Sequence, residues 1–395
     1  MINSHHRVAI FIEVIEVKEI GLYIHIPFCK QKCAYCDFLS LSGREGDIRD
    51  YVTALTGEMK YWEAILKGYS IKSIFIGGGT PSLLPIVEIA RIFDTINRSF
   101  QLQGTAEITL ESNPGTLDKE KLAFYLSSGI NRLSIGLQAW QNNLLRQLGR
   151  IHTSEEFAAN YYMAREVGFQ NINIDLMFGL PKQSMKDWIE TINQIISLKP
   201  EHISAYSLKI EENTPYNTLY SQGKLSLPDE ETERDMYHHT VNILAVHQYQ
   251  HYEISNFSLA GKASVHNQIY WKNQEYIGLG LGAHSFFNKM RFSNTDNFYD
   301  YISKIQKNQS PILEKEKISK TEEMAETMFL GLRLMEGMDM DIFKKRFDIS
   351  PMDFYREAVE TLVNRGLLII DKNMLRLTQR GIDLSNRVFV AFLPE

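Results

Sequence analysis

Short runs of apolar and β-branched residues alternate, over the first 250 residues, with longer stretches whose apolar positions recur at helical spacing. The short runs predict six strands and the longer stretches predict six helices, one after each strand. The predicted strands are 22–27, 71–76, 106–111, 132–138, 171–178 and 202–208; the predicted helices are 48–68, 85–100, 118–128, 155–167, 184–198 and 229–247. Strands joined through helices pair in parallel, and six units are fewer than the eight of a closed barrel. The pattern predicts an α/β fold, a partial (β/α)6 barrel open on one side.

The alternation weakens after about residue 250. Residues 277–284 (IGLGLGAH) are apolar and rich in glycine, which predicts a strand or a tight turn near the open edge of the barrel. From about residue 319, helical patterns surround a single predicted β-hairpin. The predicted regions are an N-terminal extension of unassigned role (1–20), the partial barrel (21–250), a barrel extension (251–315) and a mainly helical, winged-helix-like C-terminal domain (316–395).

Charge and hydropathy exclude some classes of function. The net charge of −6 disfavours nonspecific binding to nucleic acid or to an anionic membrane. No stretch reaches the roughly 20 apolar residues that span a bilayer. The apolar run at 8–12 is soon interrupted by Glu13 and Glu16, unlike a secretory signal. We therefore expect a cytoplasmic protein without a membrane span.

The three cysteines, Cys29, Cys33 and Cys36, lie within eight residues just after the first predicted strand. An odd, clustered set is not a disulfide framework, and close thiols in a reducing compartment more often bind metal. A [4Fe–4S] cluster held by protein alone usually takes four thiolates, so three leave one iron open to another ligand. Zinc or unligated thiols are the alternatives, but the nearby His25 lacks the spacing of a usual zinc knuckle. The pattern favours a [4Fe–4S] cluster.

Several predicted strands end in polar or glycine-rich residues. Residues 77–81 read GGGTP, residues 111–114 read ESNP, residues 136–138 read GLQ, and the fifth strand carries Asp175. In parallel α/β folds, ligands gather at the C-terminal ends of the strands. These strand ends are therefore expected to form one shared site.

Residues 23–38, YIHIPFCKQKCAYCDF, resemble the radical S-adenosylmethionine (SAM) family, in the branch of the oxygen-independent coproporphyrinogen III oxidase and the heme chaperone HemW. The resemblance extends from about residue 22 to the C-terminus. It implies that SAM binds the open iron and that an electron from the cluster cleaves SAM to a 5′-deoxyadenosyl radical. It also implies SAM contacts at Tyr23, Tyr35, Gly78, Gly79, Thr80, Glu111, Gln138, Arg150 and Asp175.

These residue types suit SAM. Glycines let the backbone approach a ligand closely, a carboxylate suits a ribose hydroxyl or an ammonium group, and arginine suits a carboxylate. Taken singly, GGGTP is more typical of a strand-to-helix turn, Asp175 of a cap or loop, and Arg150 of a solvated surface charge. Their order behind the cysteines favours the SAM interpretation.

Two details favour the heme chaperone within this branch. The oxidase carries a further cysteine two positions after the third, where this chain has Phe38, and it has a longer N-terminal arm than the 28 residues before Cys29. The Cys-Asp-Phe ending and residues 266–271 (HNQIYW) instead match the chaperone pattern. The resemblance thus implies heme as cargo, with candidate heme contacts at His266, Tyr270 and Trp271. Alternatively, His266 is a structural histidine among core aromatic side chains.

We therefore expect a radical SAM heme chaperone that delivers heme to apo-hemoproteins, which the resemblance implies are respiratory enzymes, and that dimerises by family analogy. One rival is an enzyme that decarboxylates coproporphyrinogen III to protoporphyrinogen IX; the missing cysteine counts against it. Another is a nucleic-acid-binding protein, suggested by the winged-helix-like end; the acidic balance counts against it.

Overall fold

The computed structural model describes residues 18–394, so the extension predicted at 1–20 lies almost wholly outside the described residues. The strands are β1 (Lys18–Ile26), β2 (Phe28–Cys29), β3 (Leu41–Ser42), β4 (Tyr69–Gly78), β5 (Gln101–Ser112), β6 (Arg132–Gln138), β7 (Ile172–Phe178), β8 (His202–Ser207), β9 (Gln250–Glu253), β10 (Asn256–Ser258), β11 (Tyr276–Leu279), β12 (His284–Phe287), β13 (Met290–Asn294), β14 (Ile312–Lys317), β15 (Met338–Asp339), β16 (Leu368–Asp371) and β17 (Met374–Leu377).

The α-helices are accompanied by two short 3-10 turns, Glu45–Asp47 and Pro81–Leu83. The α-helices are α1 (Ile48–Ile65), α2 (Ile86–Ser99), α3 (Lys119–Ser127), α4 (Asn142–Leu148), α5 (Ser154–Val167), α6 (Met185–Leu198), α7 (Pro215–Ser221), α8 (Glu230–Val246), α9 (Val265–Trp271), α10 (Phe298–Gln306), α11 (Lys320–Gly331), α12 (Met340–Phe347), α13 (Pro351–Phe354), α14 (Arg356–Asn364), α15 (Gln379–Asp383) and α16 (Ser385–Val390).

One open sheet of twelve strands carries the fold, in the order β14-β13-β12-β11-β1-β4-β5-β6-β7-β8-β10-β9. The six predicted strands are β1, β4, β5, β6, β7 and β8, which lie side by side in sequence order and pair in parallel. The prediction of an open α/β barrel is confirmed. The IGLGLGAH segment supplies β11, which pairs in parallel with β1 and adds a seventh parallel strand at the open side.

Glycine allows the sheet to continue past β11. A side chain at Gly278 would collide with the backbone carbonyl of His284, the first residue of β12. Because glycine has no such side chain, the chain can turn back tightly after β11. The antiparallel strands β12, β13 and β14 then extend this end of the sheet, and β10 and β9 extend the other end.

Helix α2 shows how a barrel helix packs against the sheet through one apolar stripe. In α2, the buried side chains Ile89, Ile92, Phe93 and Ile96 recur at intervals of three and four residues, which places them on one face. They join a core shared with the strands. The site-forming ends of the strands are thus held by a continuous packed layer.

The C-terminal part has a core of its own. Buried side chains between Met324 and Phe392 form a separate apolar cluster, and β15, β17 and β16 form an antiparallel sheet. This mainly helical domain meets the barrel at strand β9, where Glu253 forms a β-bridge with Leu334 and accepts a hydrogen bond from Arg333 at 3.3 Å. Across residues 18–394, no helix combines the length and the hydropathy needed to cross a membrane.

Candidate functional site

A cavity of about 440 Å³ opens at the C-terminal ends of the parallel strands. All three cysteines line this cavity, and so does every residue of the predicted SAM set except Tyr23. These residues come from segments far apart in sequence, and only the parallel register brings them together. The SAM roles themselves stay predictions; what the structure adds is that the residues share one cavity.

The cysteines lie on a loop that is closed at its base. Strand β2 ends at Cys29 and pairs with β3, so residues 30–40 form a loop with adjoining ends. Within it, the backbone N–H of Ala34 donates to the carbonyl of Leu148 at 3.0 Å, and the ammonium group of Lys32 donates to the carbonyl of Phe38 at 3.0 Å. All three thiols are half-buried and unpaired by disulfides. The strand pairing and these hydrogen bonds therefore fix the loop that carries the three thiols along the cavity wall.

The thiol chemistry fits a cluster better than a single ion. Burial raises the pKa of Cys36 to about 11 and also raises the pKa of Cys29, so binding metal as thiolates would release protons. Within residues 18–394, no three His, Cys, Asp or Glu side chains converge closely enough to hold one metal ion. Three thiols that line one cavity suit a [4Fe–4S] cluster with one open iron.

His25 is not arranged as a fourth ligand. Its Nε2 donates to the carbonyl of Leu39 at 2.8 Å, and its Nδ1 accepts from the Tyr23 hydroxyl at 2.9 Å. The ring lies under Gly78, which has a φ of 109° and whose missing side chain would collide with it. Tyr23 thus supports the cysteine loop and the glycine segment through His25 and does not line the cavity.

The glycine-rich end of β4 brings backbone groups to the cavity wall. A Cβ on Gly79 would lie 2.7 Å from the carbonyl oxygen of Phe28, so only glycine fits without movement. The N–H of Gly78 donates to Oε2 of Glu111 at 3.0 Å. Burial, and then the charge of Asp175, raise the pKa of Glu111 to about 8. Two carboxyl groups therefore share the cavity, and one of them holds its proton at neutral pH.

Arg150 is fixed beside the cysteines. Its Nη2 donates to the carbonyl of Gly136 and to Oδ1 of Asn113, both at 2.6 Å, and its Nη1 lies 3.7 Å from Sγ of Cys33. Asn113 also donates through Nδ2 to the Thr80 hydroxyl at 2.8 Å. The guanidinium therefore places a positive charge where thiolates would be negative.

Some cavity residues were not assigned from sequence. Asn113 links Thr80 to Arg150, whereas the sequence shows it only as part of the polar strand end at 111–114. Tyr206 and Ser207 at the end of β8, with Lys209 beyond, also line the cavity. The sequence signal for these residues is their position at the C-terminal end of the sixth predicted strand. The left-handed backbone of Gln138, with a φ of 75°, has no signal in the sequence.

The HNQIYW residues lie outside this cavity, on helix α9. His266 is buried; its Nδ1 is 2.9 Å from the Ser73 hydroxyl and its Nε2 is 2.9 Å from the Tyr270 hydroxyl. Burial, and then the charge of Arg132, lower the pKa of His266 to about 3. Iron could bind this imidazole only if one of the two hydrogen bonds broke. Trp271 is half-buried, with the Arg333 guanidinium 4.3 Å from its ring centre.

Sequence profiles match two parts of the chain. The profile of the radical SAM superfamily matches residues 23–195, which include the cysteine loop and the cavity residues from Cys29 to Met177. The profile of the HemN C-terminal domain matches residues 318–384.

Similar proteins cover nearly the whole chain. The heme chaperone HemW of Bacillus subtilis (strain 168) is 38% identical over 374 residues, which cover 94% of this chain and 99% of the relative. The heme chaperone HemW of Lactococcus lactis subsp. lactis (strain IL1403) is 36% identical over 371 residues, covering 94% and 96%. Among solved structures, coproporphyrinogen III oxidase (HemN) from Escherichia coli matches with a TM-score of 0.84 at 23% identity, over 96% of this chain and 90% of that one. This structural match supports the fold.

Proposed function

This chain belongs to the radical SAM superfamily and, within it, to the family of the heme chaperone HemW, and from this premise we propose that it binds heme and passes it to apo-hemoproteins. The observation that carries the proposal is the 38% identity to a heme chaperone across 99% of that relative's length. Acceptors such as respiratory enzymes, a homodimeric state and a cytoplasmic location in porphyrin metabolism are part of the proposal. The three clustered, unpaired thiols support a reducing compartment.

We propose that Cys29, Cys33 and Cys36 hold a [4Fe–4S] cluster and that SAM occupies the neighbouring cavity. When bound, these groups supply the one-electron cleavage chemistry of the superfamily. The chain contributes the surroundings. Arg150 offsets thiolate charge, the glycine segment lets backbone groups reach the ligand, and the carboxyl groups of Glu111 and Asp175 face it.

For heme, we propose a contact surface around α9. Tyr270 lines a second cavity of about 430 Å³ together with Tyr276 and Arg291, next to the C-terminal helix α11. The rings of Tyr270 and Tyr276 lie 4.7 Å apart, and Trp271 follows on the same helix. Aromatic side chains suit the faces of a macrocycle. Arg291 donates to both carboxylate oxygens of Glu326 at 2.8 and 2.7 Å, so a propionate would have to displace that carboxylate to reach it. The volume lies within the range of small-molecule sites.

The first experiment separates the chaperone from the oxidase. The chain with its cluster reconstituted under anaerobic conditions is given SAM, reductant and coproporphyrinogen III, and protoporphyrinogen IX and 5′-deoxyadenosine are both measured. The same preparation is titrated with heme and mixed with an apo-hemoprotein. Heme transfer without protoporphyrinogen supports the proposal, whereas protoporphyrinogen at catalytic turnover would overturn it and favour the oxidase.

SAM binding is expected to release a proton from Glu111 at pH 7. The pKa of about 8 keeps this carboxyl group largely protonated in the free protein, and a bound cation would favour its ionised form. SAM affinity should therefore rise between pH 7 and pH 8 and level off above. Isothermal titration in buffers of different ionisation enthalpy measures the released proton. Glu111→Gln is the matched control, and an unchanged proton release in this variant would contradict the assignment.

His266→Ala is expected to destabilise the chain without changing the spectrum of bound heme. The substitution leaves the hydroxyls of Ser73 and Tyr270 without their imidazole partner, which should lower the free energy of unfolding by about 1–3 kcal/mol. Denaturant unfolding and the heme Soret band are the two measurements. A shifted Soret band in the variant would instead make His266 an iron ligand.

A further inference from the structure

A chain of hydrogen bonds lies beneath the cavity and ends on the carboxylate of Asp175. Asn173 and Asp175 lie two residues apart on β7, so their side chains project from the same face. Nδ2 of Asn173 donates to Oδ1 of Asp175 at 2.9 Å and to the Ser134 hydroxyl at 2.7 Å. That hydroxyl donates to Oδ2 of Asp175 at 2.7 Å. Both carboxylate oxygens are therefore held from below by side chains at most 3% exposed.

The direction of each hydrogen bond is determined by chemistry. Since a carboxylate only accepts, the amide nitrogen of Asn173 must face Asp175 and its oxygen must face His202. Nδ1 of His202 lies 2.6 Å from that oxygen, so it carries the proton. Nε2 is left to accept from the Tyr252 hydroxyl at 2.8 Å. The Ser204 hydroxyl donates to the same amide oxygen at 3.1 Å, so Asn173 makes all four of its hydrogen bonds.

Stability alone does not explain a polar network in the interior of the barrel. Well-packed apolar side chains of similar volume are often at least as stabilising as a buried polar network. What the network provides is orientation, because a carboxylate held on both oxygens cannot rotate away from its ligand. A side chain ordered before binding loses less conformational freedom when the ligand arrives.

We propose that Asn173 and His202 are positioning residues that hold the Asp175 carboxylate in the orientation from which it binds SAM. The inference rests on the proposed function, because it requires SAM to be the ligand of the cavity. Asp175 lines the cavity, while Asn173 and His202 do not, so their effect on the ligand passes through Asp175.

The protonation state of this hydrogen-bond network does not change with pH in the neutral range. His202 is fully buried, and burial followed by the charge of Arg132 lowers its pKa well below the usual range. The imidazole therefore stays neutral and keeps its proton on Nδ1. Its two hydrogen-bond partners are the Asn173 amide and the Tyr252 hydroxyl, neither of which titrates near pH 7.

The test is a double-mutant cycle on the full, cluster-loaded chain, with the SAM dissociation constant as the readout. His202→Leu should weaken SAM binding about tenfold. His202→Asn offers an amide N–H in place of Nδ1–H and should restore most of that loss. In an Asp175→Ala background, His202→Leu should have no further effect. Iron content and heme affinity should stay unchanged in every variant, which a general structural defect would not allow.

Additive losses in the cycle, no rescue by His202→Asn, or an equal loss of heme affinity would each overturn the inference. If His202→Leu does not fold, Tyr252→Phe removes a single hydroxyl at the outer end of the network and should weaken SAM about threefold in the same cycle. A wild-type chain that fails to bind SAM would overturn the proposed function and this inference with it. Binding with additive losses would overturn this inference alone.

Discussion

Replacing Cys33 by alanine will leave the chain without its iron–sulfur cluster. Iron and acid-labile sulfide should fall from near cluster stoichiometry to near zero after anaerobic reconstitution, because two remaining thiolates cannot hold a cluster that already has one open iron. Cys33 is only half-buried in a surface loop, so the fold itself should survive. SAM binding should fall with the cluster, since the open iron would be one of its binding partners.

The matched control for this variant is Lys30→Ala, a substitution of an exposed residue in the same loop. It should keep full iron content. If the Cys33→Ala chain kept cluster and SAM at wild-type levels, Cys33 would not be a ligand, and the role of the whole loop would have to be reconsidered.

Trp188→Ala should lower the free energy of unfolding by about 3–5 kcal/mol. The indole on α6 is fully buried, and its centre lies 5.5 Å from that of the Phe178 ring on β7. Its Nε1 donates to the Thr240 hydroxyl at 2.9 Å and to the carbonyl of Met236 at 3.0 Å on α8. The substitution would leave a cavity and remove both hydrogen bonds that link α6 to α8.

Chemical denaturation, followed by circular dichroism, measures this loss. Tyr162→Ala on α5 is the control, because that ring is 61% exposed and should change stability by less than about 0.5 kcal/mol. A loss near zero for Trp188→Ala would mean that the barrel repacks around the gap, contrary to the close packing described above.

The parallel strands were predictable because they are buried on both faces. In β6 every residue is buried, and the apolar residues Leu133, Ile135 and Leu137 alternate with small or polar ones; such short runs stand out between amphipathic helices. Strand β11 was harder to assign. It is four residues long within a glycine-rich segment, and its pairing partner β1 lies about 250 residues earlier, so local pattern could offer only a strand or a turn.

The cavity residues were predictable where they are attached to a motif. The cysteines and the GGGTP segment are recognisable as such, whereas Asn173 and His202, which lie beneath the cavity, are isolated polar residues within strands. The hydrogen bond between these two side chains depends on the register of β7 and β8, which places Asn173 beside His202. No periodicity within a single strand encodes that pairing. The buried state of His266 depends in the same way on Ser73, which is 193 residues away.

The two ends of the large sheet are protected from other chains in different ways. At one end, β14 carries Glu314, Lys315, Glu316 and Lys317 in succession, and such charges discourage a second strand from pairing there. At the other end, β9 is short, and the bridge from Glu253 to Leu334 covers it with the C-terminal domain. The C-terminal domain thereby blocks the edge of β9 from pairing with a strand of another chain. A barrel released from it, by proteolysis or by truncation, would offer β9 as a template for intermolecular strand addition.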